Sequence, residues 1–195
     1  MSAFPPSSKR LVLASASPRR RRLLAEAGFD FEVLPARATE FSSSEAVCAA
    51  DLPLLNSLLK ARAAARLRPG CFVIGADTMI LLDDALLGKP ASPEAAAAML
   101  ERLSGRGHRV VTGVTVIRPD GGAEGFSETT EVFFKTLSPE VIAEYLQKVN
   151  VLDKAGAYAI QEHGDMLIEK ISGSFSNVEG LPMESLTPLL VRLSV

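Results

Sequence analysis

Cysteine, histidine and net charge are all scarce in this 195-residue chain, which has two cysteines, two histidines and no tryptophan. Each scarcity excludes something. Cys48 and Cys71 stand far apart with no CxxC spacing, which argues against a zinc site or a disulfide framework and fits a reducing cytoplasm. Lys and Arg number 21 against 23 Asp and Glu, a formal charge of −2, so nothing in the bulk charge points to a nucleic-acid polymer as partner. No segment reaches the roughly 18 uninterrupted apolar residues that cross a bilayer. The N-terminal MSAFPPSSKR has no apolar stretch ahead of its basic residues, so the expectation is a cytoplasmic protein without export signal or membrane partner. What is abundant is apolar side chain: at 47% hydrophobic content the chain can bury a substantial core, expected as a single domain over 1–195 with 1–9 a flexible N-terminal stretch.

Strand and helix patterns alternate along the chain. Residues 11–14 read as a strand, 18–27 as a helix stopped by Gly28, and 31–34 as a second strand. Residues 36–50 are small and polar, without an apolar period, and read as a loop able to move over a site. A helix over 54–67 follows. The apolar run CFVIGADTMILLDD reads as a strand buried on both faces, interrupted by Gly-Ala-Asp-Thr, with polar groups placed at its end. Two Ser-Pro-Glu sequences, at 92 and 138, open helices. Between them, strands over 108–117 and 125–136 meet at Pro119-Asp120-Gly121-Gly122 as an antiparallel hairpin, and a last helix runs over 182–193. The class is α/β with a mixed sheet.

The chemistry concentrates in a few places. LVLASASPRRRRLL ends a strand in Ser15 and Ser17 and enters a helix whose first turn carries Arg19, Arg20, Arg21 and Arg22. Four guanidinium groups oppose the helix macrodipole, which favours anions at that end. Either they form a solvated basic face, or they join the serines and the helix N-terminus in a site for polyphosphate or carboxylate. Asp77, after VIGA, reads as a carboxylate at the carboxyl end of a buried strand: a metal ligand, a base, or a turn cap. Lys89, between Gly88 and Pro90, is placed to meet a phosphate as a point charge or simply to be solvated. Lys154 and Gln161 flank the small residues Ala155-Gly156-Ala157, where a flat or bulky ligand could approach the backbone and the Gln161 amide could read a base edge or hold a water. GSFSNVEGLPME is a turn cluster that either packs the last helix or touches ligand. His108 and His163 read as structural or surface groups; Tyr145 and Tyr158 have core readings beside functional ones.

In order and approximate spacing, LASASPRRRRLL, GADT, GKP, LSGRGH, DKAGAYAIQ and GSFSNVEGLP resemble the Maf proteins, the septum-formation family of nucleoside triphosphate pyrophosphatases. The resemblance runs from Leu11 to about Leu193. It implies an α/β fold with a central mixed twisted sheet flanked by helices, two lobes around a cleft, of the Maf/ITPase-like kind. It also implies metal-dependent hydrolysis of a nucleoside triphosphate to the monophosphate and pyrophosphate, with Mg²⁺ or Mn²⁺ as cofactor, a homodimer, and a role in removing noncanonical nucleotides or in cell-division arrest. Arg19 after Ser-Pro, where the 7-methyl-GTP subgroup tends to carry Trp, and KAGAYAIQ are similar to the subgroup that acts on dTTP and UTP. Carried over by residue, the resemblance makes Asp77 the catalytic acidic residue and a metal ligand, and Arg19, Thr78 and Gln161 the specificity positions. Ser15, Arg20, Lys60, Lys89 and Lys154 become polar phosphate-side groups, and Glu40 the second acidic, metal-side group with Glu45 as its rival. Water would attack the α-phosphorus while Arg20, Lys60 and Lys89 hold the β- and γ-phosphates. Two further classes stay open from the sequence: a non-catalytic nucleotide-binding regulator, which would release no pyrophosphate, and a phosphatase, which would release orthophosphate.

Overall fold

The computed structural model describes residues 11–35, 37–41 and 48–195. Its elements, in chain order, are β1 (Leu11–Leu13), α1 (Pro18–Glu26), β2 (Phe31–Val33), α2 (Leu52–Leu67), β3 (Phe72–Leu82), β4 (Ala85–Leu87), α3 (Pro93–Leu103), β5 (Gly107–Ile117), β6 (Ala123–Phe134), α4 (Pro139–Lys148), β7 (Ile168–Ser172), α5 (Phe175–Glu179) and α6 (Met183–Arg192). Short 3₁₀ turns lie at Ala155–Ala157 and Gly164–Met166.

The helix starts follow local chemistry. Ser17, Ser92 and Ser138 each accept a backbone N–H from the first turn of α1, α3 and α4, and each is followed by proline, whose missing donor costs nothing there. The same tolerance lets α2 begin at Leu52, two residues before the expected 54, with Pro53 inside its first turn. Three short elements had no sequence expectation: β4, β7 and the five-residue α5, which forms within the expected turn cluster because Ser174 caps it. They are too short to carry a period, and tertiary contact creates them. No helix among the described residues is long and apolar enough to cross a membrane.

The strands form one mixed sheet in the order β2-β1-β3-β5-β6-β7, parallel across β2-β1-β3 and antiparallel beyond, with β4 paired to β3. Three apolar cores share β3 and β5: a small one of Val12, Ala14, Ala61, Ala64, Val73 and Ile117 beneath α2, and two larger ones. One gathers Leu11, Leu13, Leu24, Ile74, Leu186 and Leu190 beneath α1 and α6; the other gathers Leu82, Leu100, Leu103, Phe134, Tyr145 and Leu167 beneath α3 and α4. These are two lobes, and the middle of β3 lies between them.

β3 does not break at Gly-Ala-Asp-Thr. It runs straight through, so Asp77 sits mid-strand, opposite Gly113 of β5, rather than at a strand end. What ends is its neighbour. With β5 along one edge of β3, β1 pairs only Phe72–Ile74 on the other edge and β4 only Ile80–Leu82, which leaves residues 75–79 without a strand partner on that side. α2 crosses the face that carries Gly75 and Asp77. A Cβ on Gly75 would stand 2.1 Å from the Ser57 carbonyl, and one on Gly113 2.2 Å from the Leu54 nitrogen. The two glycines thus let the helix backbone rest on the sheet backbone, at a distance any side chain would forbid. Gly75→Ala should lower unfolding free energy in urea by at least about 2 kcal/mol and displace α2, with activity falling in parallel.

His108 is buried on β5, edge-on to Phe134 and Tyr158, with Nε2 2.8 Å from the Tyr158 hydroxyl and Nδ1 without a partner among the described residues. Burial holds its pKa down to about 4. Because the unfolded chain takes up this proton near pH 6.5 and the folded protein only near 4, the stability is intact above 6.5 and is lost as pH falls through that window. The group should cost about 3 kcal/mol by pH 4. Urea titrations across pH 4–7 should show this acid slope in the parent protein and its reduction in His108→Phe.

Candidate active site

A cleft of about 630 Å³ opens at the unpaired edge of β3. Its walls include Ser15, Arg19, Arg20, Glu40, Lys60, Asp77, Thr78, Lys89 and Gln161, so nine residues expected from the sequence converge on one place. Lys154 does not line it. Its side chain is buried beneath the wall, where Nζ donates to the Asn150 carbonyl and to Asp153 Oδ1 at 2.9 Å, with Glu162 Oε1 at 3.7 Å. Three oxygens hold that ammonium away from a phosphate in the cleft. Glu45 lies outside the described residues.

Opposite faces of β3 carry the two halves of the site. On the α2 face, Asp77 Oδ1 accepts from Lys60 Nζ at 2.6 Å and Oδ2 from Asn56 Nδ2 at 3.2 Å. Lys60 Nζ also lies 3.2 Å from Glu40 Oε2. Two carboxylates therefore share one ammonium. Asn56, fully buried and one helical turn before Lys60, also accepts the Phe41 N–H at 2.8 Å and donates to the Phe41 carbonyl at 3.1 Å. It ties the segment carrying Glu40 to the helix that presents Lys60. The sequence reading passed over Asn56; an amide on the apolar face of α2, four residues from a lysine, was the available signal.

On the other face, Arg20 fills the gap in the sheet. Its Nη1 donates to the Ala76 carbonyl at 2.9 Å and to Ser15 Oγ at 3.2 Å, its Nε to the Gly180 carbonyl at 2.7 Å, and its Nη2 to Thr78 Oγ1 at 2.9 Å. The Ile74 carbonyl on that edge still accepts from a backbone N–H, that of Ala14; Ala76, two residues on, receives a guanidinium instead. Burial draws the Arg20 pKa down to about 10, against the opposing field of Asp77. Four of its five N–H groups thus hold protein rather than ligand. Thr78 Oγ1 is similarly engaged, with Thr112 Oγ1 at 3.0 Å beside Arg20.

The rest of the arginine cluster divides. Arg22 pairs with Glu26 at 3.0 Å and with buried Glu179 at 2.6 Å. Arg19 and Lys89, both on the cleft wall, make no hydrogen bond or ion pair with the described residues, and are the uncommitted cations of the site. Glu179, also on the wall, was not singled out in the sequence; burial raises its pKa and Arg22 opposes the shift. Also on the wall, Gln161 donates Nε2–H to Glu162 Oε1 at 3.1 Å, while its own Oε1 is buried without a partner among the described residues. No group of three or more His, Cys, Asp or Glu with metal-binding placement occurs among the described residues.

Lysine cannot reproduce the four-bond fork of Arg20. Arg20→Lys should lower unfolding free energy by about 2–4 kcal/mol, read from urea unfolding, and loosen Thr78 and the turn at Gly180 together.

Residues 10–193 match the family described as Maf-like protein. The chain is 46% identical over 187 residues to the dTTP/UTP pyrophosphatase of Moorella thermoacetica, covering 95% of this chain and 96% of that protein. It is 43% identical over 180 residues to the dTTP/UTP pyrophosphatase of Akkermansia muciniphila, covering 92% and 94%. Among solved structures, the Ham1 protein of Staphylococcus aureus superposes with a TM-score of 0.57 at 18% identity, over 94% of this chain and 99% of that one. The HAM1 protein of Coxiella burnetii gives 0.56 at 16% identity, over 95% and 100%. At those identities the two structures speak for the fold alone.

Proposed function

Because the chain belongs to the Maf family, we propose that it hydrolyses a nucleoside triphosphate, dTTP or UTP, to the nucleoside monophosphate and pyrophosphate. The observation that carries this reading is the charge layout of the cleft. A carboxylate pair, Asp77 and Glu40, lines the same space of about 630 Å³ as Arg19 and Lys89, which have no partner among the described residues, and that space is large enough for a nucleotide.

A triphosphate brings about four negative charges near pH 7, and attack at the α-phosphorus requires that they be neutralised. Arg19 and Lys89 can do this without breaking any pair with the described residues. Lys60 swings between two roles, pairing with Asp77 and Glu40 when no ligand is bound and meeting phosphate when it is. Ser15, whose Oγ already accepts from Ser17 N–H and Arg20, keeps its own O–H for a phosphate oxygen. Asp77, on the rigid centre of β3 and oriented by Asn56, is placed to take the proton from the attacking water or to orient that water. The proton ends in solvent, the water oxygen on the monophosphate, and the α–β bridging oxygen leaves with pyrophosphate.

Asp77 and Glu40, oxygen donors that converge on one cationic point, suit a hard divalent cation such as Mg²⁺ or Mn²⁺. Such an ion, when bound, supplies charge neutralisation at the phosphates. The buried Oε1 of Gln161, unpartnered among the described residues, is a hydrogen-bond acceptor and therefore suits the N3–H of thymine or uracil.

The test is product analysis with dTTP, UTP, CTP, GTP and 7-methyl-GTP, with and without Mg²⁺ or Mn²⁺. Metal-dependent pyrophosphate and monophosphate, fastest from dTTP or UTP, is the expected result; binding without turnover would favour a regulator and orthophosphate a phosphatase. Asp77→Asn should lower kcat at least about 100-fold while the thermal unfolding curve stays cooperative. Full activity in that variant would remove Asp77 from the mechanism.

A further inference from the structure

Glu162 is not among the residues that line the cleft, yet it touches one that does. Its Oε1 accepts the Nε2–H of Gln161 at 3.1 Å and lies 3.7 Å from the Nζ of Lys154. Lys154 is itself buried and anchored by the Asn150 carbonyl and Asp153. The Glu162 backbone N–H donates to the Ala159 carbonyl at 3.3 Å, which holds the turn. A chain of contacts therefore runs from an anchored ammonium through a carboxylate to an amide on the cleft wall.

An amide has two ends of nearly equal shape and opposite hydrogen-bonding sense, and packing alone distinguishes them poorly. A carboxylate distinguishes them fully, since it only accepts. The end of Gln161 that meets Glu162 must be the NH₂, and the carbonyl is left as the buried Oε1 with no partner among the described residues. We propose that Glu162 is a positioning residue for base selection. It fixes the Gln161 amide with its NH₂ committed to protein, so that the end left for a base is an acceptor, which favours the N3–H of uracil and thymine over the N3 of cytosine, which only accepts. The proposal rests on the reading of the cleft as a nucleotide site with Gln161 at the base.

The experiment compares kcat and KM for UTP and CTP, and Kd for UMP and CMP by titration calorimetry, in the parent protein, Glu162→Met, Glu162→Gln and Gln161→Ala. Methionine keeps bulk and removes the acceptor, so the amide can turn. The UTP/CTP ratio of kcat/KM should fall about tenfold, the worth of one mis-set buried hydrogen bond, mainly through KM and with the same fall in the UMP/CMP ratio of Kd. Glu162→Gln should restore most of the preference, because Lys154 still draws an acceptor oxygen toward it and that oxygen faces Gln161. A merely structural role would weaken both nucleotides equally. An unchanged ratio in Glu162→Met, or a parent protein without preference for uracil, overturns the proposal. Pyrophosphate release with an unchanged ratio sinks the positioning role alone. No release, with UMP preference still lost in Glu162→Met, sinks the pyrophosphatase reading and leaves the positioning role standing.

Discussion

The guanidinium of Arg20 sits where a strand is missing. β1 stops after three residues of pairing and β4 starts only at the far end of β3, so the sheet would expose unpaired backbone at 75–79 in the middle of the protein. Buried carbonyls without donors are costly. Arg20 supplies a donor to Ala76 and in the same planar group reaches Ser15, Thr78 and Gly180. One side chain from α1 thus closes the sheet gap against the turn that follows α5. The gap can remain open as a cleft because it is satisfied by a side chain, which leaves room, rather than by a strand, which would fill it. Burying the charge opposes the arrangement, and the four acceptors together with the field of Asp77 offset it.

That division explains how a run of four arginines is tolerated at a helix start. The macrodipole disfavours cations there. Arg20 is held by carbonyl and hydroxyl oxygens and Arg22 by Glu26 and Glu179, so two of the four have local compensation. Arg19 faces the cleft without a described partner. Its unfavourable position at the helix start is relieved by an anion, which is a physical reason for ligand and protein to stabilise each other at this end of the cleft.

The opposite wall is organised by closeness of backbones. Gly75 and Gly113 let α2 lie on the sheet, and that proximity brings Asn56 and Lys60, one turn apart, onto the same carboxylate. Shared between Asp77 and Glu40, the Lys60 ammonium offsets part of their charge within the site. A ligand that brings its own charge then exchanges partners within a set already in place, which limits reorganisation at the moment of binding. Rigid placement comes from β3 and α2, and the segment bearing Glu40 is attached through the Asn56 amide.

The sequence by itself determined what local rules govern. Ser-Pro starts for α1, α3 and α4, the β5–β6 hairpin and the α/β class follow from caps, turns and hydrophobic period, which act over a few residues. Residue type also singled out Asp77, Lys89 and the arginine run as carriers of chemistry, and the tertiary structure gathers Asp77, Lys89, Arg19 and Arg20 in one cleft. The rest depends on partners far along the chain. That β3 runs unbroken past the end of β1, that Arg20 is clamped while Arg19 is free, that Lys154 turns inward, and that Asn56 and Glu162 orient their neighbours are set by contacts of this kind: Arg20 with Gly180 and Lys60 with Asp77. A motif shows which groups are present. Only packing decides which hydrogen bonds each has already spent, and so which remain for a ligand.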